Sequence, residues 1–298
     1  MTAETLKHYA ALSELFLTEQ SFDLGHEVGL RIAYAHMFAN HMLAYTPAEL
    51  GKPSSGPWKA TRGGNWHDIT AELSIPSDGV SGVGTFHEVA QAIVLVIRLG
   101  INPATYLSAT SNKTFYAHAQ ASDPDAWVQP EETELRRFHL GVDDGKVSAA
   151  KAAWLSERWP TAARLTRQSP EFALAADALA IGQYVHRTSL VMVAIWASLE
   201  ALFSPSTTEL RFRVSALIAS YLEPPGEGRK LRAKEISKLY DKRSSAAHGK
   251  STHDNNDLLE SFNLLGEVQR KMIDQGRVPT KVELEGLLFG QEGVHSST

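Results

Sequence analysis

From Lys146 onward, apolar residues recur at helical spacing almost to the end of the chain. Alanine and leucine dominate Ser148 to Trp159. Pro160 is then expected to interrupt the helix, because it removes a backbone donor and crowds the preceding turn. Ser169-Pro170-Glu171 has the form of an N-cap followed by proline at the first helical position, opening a helix to about Gly182. The next helix is apolar nearly all round: Leu190, Val191, Val193, Ile195, Trp196, Leu199, Leu202 and Phe203 leave little polar face. Such a helix has to be covered on every side, centrally in a bundle or against a second subunit. Ser206-Thr-Thr-Glu209 fits a capping box, and Leu210, Val214, Leu217, Ile218 and Tyr221 follow on one face before Pro224-Pro225-Gly226 ends the pattern. A basic helix is predicted from about Arg229 to His248, with Gly249 as its C-cap. A last helix begins near Asn256 or Asp257, with Leu258, Phe262, Leu265, Val268 and Met272 as its stripe. Four such helices with short connections predict an antiparallel bundle. The tail after Gly276 holds one short helical piece, Val282 to Phe289.

The first part of the chain is less regular. Glu4 to Phe16 and Glu27 to Leu43 look helical, and residues 51–84 are rich in glycine, proline and serine, which reads as loops with short strands. Thr85 is a candidate N-cap for a buried helix running to Leu99, with Gly100 as its stop. Within it His87 and Glu88 read as ordinary first-turn polar residues, since nothing nearby offers a nucleophile or an oxyanion site. Residues 102–145 are turn-rich and are expected to hold the transition between domains. The fold class is therefore mainly α: a mixed, partly helical N-terminal domain over 1–145, a helical domain over 146–275, and a tail over 276–298.

Composition narrows the function classes. The 298 residues include 43% hydrophobic ones, enough for a sizeable core, and no cysteine, which excludes disulfides, thiol catalysis and cysteine metal sites. The longest apolar run, Leu190 to Ala197, is far short of the roughly 20 residues needed to cross a bilayer, and the N-terminus lacks a signal-peptide pattern. A soluble, cytoplasmic protein without membrane partners is expected. His36 and His41 do not form a His-Glu-x-x-His pair, and no metal or cofactor is expected. The net charge is −5, yet between Arg229 and Lys250 eight cations (Arg229, Lys230, Arg232, Lys234, Lys238, Lys242, Arg243, Lys250) face only Glu235 and Asp241. A positive stretch on an acidic protein attracts a polyanion, and Lys238, Lys242 and Lys250 are the candidate contacts for it. The same stretch also reads as a solvated lysine face.

The candidate chemistry lies at the end of that basic helix. Ile236, Leu239, Tyr240 and Ala247 share one helical face, and Arg243 falls in the middle of it. A guanidinium there has to pair with a carboxylate or meet an anion. Glu200, on the most apolar helix, is the expected holder of Arg243 or of Arg211; structural ion pairs are the expectation for Glu209, Arg211 and Arg213 as well. His248 follows five residues after Arg243 and titrates near neutrality. An arginine for a phosphate and a histidine for a proton are what metal-free phosphodiester chemistry requires.

Leu199-Glu-Ala-Leu-Phe203, Glu209-Leu-Arg-Phe-Arg213 and Leu239-Tyr-Asp-Lys-Arg-Ser-Ser245, in that order and followed by His248, resemble the HEPN (higher eukaryotes and prokaryotes nucleotide-binding) superfamily, closest to its Apea-like branch, over about residues 170–275. The resemblance implies a dimerising helical bundle that in many members is a metal-independent endoribonuclease acting as a toxin or in anti-phage defence. It makes Arg243 and His248 the active pair. Many active members carry Asn, Asp or His directly after the arginine, where this chain has Ser244. The implied reaction is attack of a ribose 2′-hydroxyl on the adjacent phosphate, with Ser244 or Ser245 adding hydrogen bonds. Residues five apart on an ideal helix point about 140° apart, so the pair converges only if the helix loosens near Ser244-Ser245 or a second copy supplies the other half. The competing expectation is a non-catalytic dimerising module that binds RNA, nucleotide or a protein partner, with Arg243 as an interface anchor and His248 as a cap. Residues 1–145 are expected to hold a regulatory site for a partner or a phage trigger.

Overall fold

The computed structural model describes residues 6–39, 43–45, 50–52, 57–60, 65–120, 123–131, 136–137, 140, 144–203, 210–249 and 253–289. It is mostly helical, with a six-stranded antiparallel sheet in its N-terminal part. The chain forms two compact units: residues 1–90, 104–133 and 144–156, and residues 91–103, 134–143 and 157–298. Two of the limits between these units, after residues 90 and 156, fall inside helices.

The first unit is built on strands β1 (Lys7–Ser13), β2 (Phe16–Leu17), β3 (Ser21–Asp23), β4 (Gly29–Ala39), β5 (Leu43–Tyr45), β6 (Pro57–Ala60) and β7 (Asn65–Pro76). After helix α1 (Phe86–Gly100) come β8 (Tyr106–Ser111), α2 (Phe115–Gln120), β9 (Val128–Pro130) and β10 (Lys146–Val147). The main sheet has the order β3-β4-β7-β1-β8-β9; β10 pairs with β2 in parallel and β5 with β6 antiparallel.

Two sequence expectations are corrected by the sheet. Glu4–Phe16 and Glu27–Leu43 look helical in sequence, but the described parts of both are mainly strand, β1 and β4. In β1 the consecutive residues Ala10, Ala11 and Leu12 are all fully buried, so both faces are covered. A strand of that kind carries a continuous apolar run, which periodicity does not distinguish from a helix. The stretch 51–84, expected as loops and short strands, contains the 12-residue β7 at the middle of the sheet. Beneath it Ala11, Ala33, Ile69, Ala109 and Phe115 form a core. Glu72, 1% exposed, accepts a hydrogen bond from Arg31 Nε (2.5 Å) and another from the Phe115 backbone N–H (2.9 Å), tying α2 to the central strand.

α1 begins as expected. Glu88 accepts hydrogen bonds from the Thr85 backbone N–H (2.8 Å) and hydroxyl (3.0 Å), so the carboxylate serves as a cap. Helix α3 (Ala149–Gln168) contradicts the expected break, because it runs through Pro160. Trp159, Ala162, Ala163 and Leu165 are buried around that point, and their burial outweighs one missing backbone bond.

The second unit contains α4 (Pro170–Ile181), α5 (Thr188–Phe203), α6 (Leu210–Leu222), α7 (Glu227–Ala247), α8 (Asn255–Gln275) and α9 (Lys281–Leu288). Ser169 caps α4 as expected, its hydroxyl accepting from the Phe172 N–H. The Ser206–Glu209 capping box lies outside the described residues. α5 packs against α4, α6, α7 and α8, which answers its nearly all-round apolar sequence, although Leu190 stays 58% exposed. Gly182 at the end of α4 allows a close helix approach: an added Cβ would lie 2.5 Å from the Phe262 ring of α8. Among the described residues no helix is long and apolar enough to cross a membrane.

Candidate functional site

α7 carries the site. Its buried residues are Ile236, Leu239, Tyr240 and Ala246. Ala247, expected on that face, is exposed, and Ala246 takes its place one position earlier. Arg243 stands at the border of the face with its side chain 22% exposed.

The partner of Arg243 is on α5. Both carboxylate oxygens of Glu200 lie 3.1 Å from Arg243 Nη2, and the Tyr240 hydroxyl donates to Glu200 Oε1 at 2.9 Å. The guanidinium carbon also sits 5.5 Å from the centre of the Tyr240 ring. Burial, followed by the hydrogen bond to Glu200, pushes the Tyr240 phenol up to about 12. Trp196 meets Tyr240 edge to face, with ring centres 5.3 Å apart, and its indole N–H donates to Ser261 of α8 at 3.2 Å. Glu200, Tyr240 and Arg243 are thus fixed by the cores of three helices. Arg243 Nε is buried without a hydrogen-bond partner among the described residues. Of the two expected partners for Glu200, Arg243 is the one observed. Arg211 instead pairs with Asp241 at 2.7 Å and donates to Ser237 at 2.9 Å.

His248 occupies the C-cap of α7 and is exposed, its backbone N–H bonded to the carbonyls of Ser244 and Ala246. Gly249, expected as the cap itself, is the left-handed residue after it (φ 74°). Ser244 and Ser245 are half-buried inside an uninterrupted helix. The loosening that would let Arg243 and His248 converge in one chain is therefore absent from α7: on a regular helix the two directions differ by about 140°.

The cationic character of α7 changes once the neighbouring elements are seen. Arg229 donates to the carbonyls of Glu223 and Leu287, Lys230 pairs with Glu227, and Arg232 pairs with Glu235 and with Glu267. Lys242, a candidate RNA contact, lies 3.3 Å from Asp257 at the start of α8. Lys238 is exposed, as is Lys234, and neither has a carboxylate within ion-pair distance among the described residues. Lys250 lies outside the described residues. Three of the cations counted along the helix, Arg232, Lys242 and Arg243, are thus paired with acids on other elements.

Sequence reasoning placed Tyr240 on the buried face but missed its hydroxyl as the second donor to Glu200. The signal was its position three residues before an arginine that needed a carboxylate. It also missed the collar at the start of α8, where Asp254 and Asp257 form a capping box and His253 bonds the Thr188 hydroxyl at 3.0 Å. Hydrogen bonds from the Asp257 and Asn256 backbone N–H groups hold the Asp254 carboxyl below its usual range.

No protein-family model, no curated protein and no solved structure matches this chain.

Proposed function

We propose that the helical part of this protein is a HEPN-like bundle that acts, as a homodimer, as a metal-independent endoribonuclease of the toxin or anti-phage type. The observation that carries the reading is the pairing of a pre-positioned Arg243, locked by Glu200 and Tyr240, with an exposed His248 at the end of the same helix. A fixed guanidinium neutralises phosphoryl oxygens without reorganising, and an exposed imidazole is free to meet a ribose hydroxyl. Because α7 is regular through Ala247, the reading requires two copies, each completing the other's cleft.

In that cleft His248 takes the proton of the 2′-hydroxyl, and the oxygen attacks phosphorus while Arg243 holds the phosphoryl oxygens. The bond to the 5′-oxygen breaks, and that oxygen takes a proton from water, to which His248 returns the one it removed. Products carry a cyclic phosphate and a 5′-hydroxyl, and DNA is not cut because it lacks the nucleophile. Ser244, Ser245 and Lys238 lie on the same helix for additional phosphate contacts.

The test is incubation of purified protein with total cellular RNA in the presence of chelator. Wild type should cut and His248→Ala should not, with unchanged helical content. Intact RNA with wild type, or equal cutting by the variant, overturns the proposal.

A second reading, a non-catalytic module that binds RNA, nucleotide or a protein partner, is favoured by one observation. Glu200 already neutralises Arg243, and Lys230, Arg232 and Lys242 are paired with acids as well. That reading predicts RNA retention without cleavage.

A further inference from the structure

The sheet of the first unit is disturbed along one line. Between Leu12 and Ser13 the pairing of β1 with β7 skips Thr70, and between Ala11 and Leu12 its pairing with β8 skips Ser108. At the same level the pairing of β4 with β7 shifts between Ile32 and Ala35. Four adjacent strands thus carry irregularities side by side. Bulges bend strands, deepen the twist and re-aim side chains.

The groups disturbed by these shifts are bonded internally. Thr70 Oγ1 accepts from the Leu15 N–H at 3.1 Å, and the buried hydroxyls of Ser13 and Ser108 bond each other. The next residue, Glu14, takes a left-handed backbone (φ 63°) that is uncommon outside glycine.

Residues at these shifts, Ser13, Ile69 and Thr70 among them, line a cleft of about 770 Å³, within the size range of small-molecule sites. Its wall holds three aromatic rings, Phe16, Tyr34 and Tyr106, and two carboxylates, Glu14 and Asp68; no lysine or arginine is among its described lining residues. Tyr34 is 71% exposed, although it belongs to a strand next to the middle of the sheet. Asp68 is oriented by His36, its cross-strand partner, with Oδ1 2.6 Å from Nδ1.

Carboxylates repel phosphate and attract cations, and ring faces add attraction for a cation with a greasy surface. We propose that this cleft binds a small organic cation, an ammonium group set against Tyr34, Phe16 and Tyr106 and facing Glu14 and Asp68. The site is independent of α7 and of any reaction there. A small quaternary-ammonium compound and a trimethylated lysine side chain present the same group.

Titration of the full chain with choline, and separately with a short peptide carrying trimethyl-lysine, distinguishes these sources by calorimetry or amide chemical shifts. Saturable binding of either probe is expected, localised to residues 13–16, 34–36, 68–70 and 106. Tyr34→Ala and Asp68→Asn, both at exposed positions and checked by thermal melting, should each weaken it by about tenfold. Adenosine monophosphate, an anion with an aromatic base, should not compete. Absence of saturation with both probes, undiminished binding by Tyr34→Ala, or preference for the nucleotide overturns the assignment.

Discussion

Replacing Glu200 with alanine removes the acceptor shared by Arg243 and Tyr240 and leaves a guanidinium with no carboxylate beside it. A hydrogen bond to a charged group contributes about 1.5–3 kcal/mol net, and two meet at this carboxylate. The pair is 22% and 18% exposed, so water recovers part of the loss. Arg243 also leaves the face of the Tyr240 ring once it turns outward to solvent, and the expected destabilisation is about 3 kcal/mol in all. At a slope of roughly 2 kcal/mol per molar urea this moves the midpoint down by about 1.5 M, followed by far-UV circular dichroism. Glu227→Ala supplies the control. Its pair with Lys230 is 91% and 79% exposed, and its removal should cost less than about 1 kcal/mol. Arg243→Met combined with Glu200→Leu should recover much of the single-variant loss, because it removes both charges from a half-buried site. A cost below about 0.5 kcal/mol for Glu200→Ala, or equal costs at the two pairs, would refute the view that Glu200 holds the α5–α7 junction together.

Three further outcomes are expected. The Tyr240 phenol is raised in the folded chain to about 12 while the unfolded chain ionises near 10, so folding stability is complete below pH 10 and falls as pH rises toward 12. Tyr240→Phe should flatten that fall, and an unchanged alkaline profile would contradict it. Gly182→Ala should destabilise by about 1–3 kcal/mol, because the new Cβ meets the Phe262 ring and the Ala178 carbonyl; a neutral or stabilising result would disprove the close approach of α4 to α8. Under the ribonuclease reading, a heterodimer of His248→Ala with Arg243→Ala should recover part of the activity lost by each homodimer, since one intact composite cleft reforms; a single-chain site predicts no recovery.

The helices of the second unit were legible because what starts and stops them lies within four residues. Ser169 and Pro170 open α4, the stripe from Leu258 to Met272 follows α8, and Gly249 takes the left-handed turn after α7. Strand β1 was not legible, since its partners Ile69–Pro76 and Tyr106–Ser111 lie some 60 to 100 positions away and its doubly covered sequence has no alternation. Pro160 misled for a related reason: local cost was visible, but the burial around Trp159 that overrides it was not. At the site, the sequence by itself determined that Arg243 would adjoin an apolar face, at whose border it stands, and need an anion. Only the tertiary structure decided that Glu200 lies against it, that Tyr240 shares that carboxylate, and that Glu267 and Asp257 of α8 pair with Arg232 and Lys242 of α7. Periodicity is a property of one element, whereas charge balance and strand pairing belong to elements brought together from far along the chain.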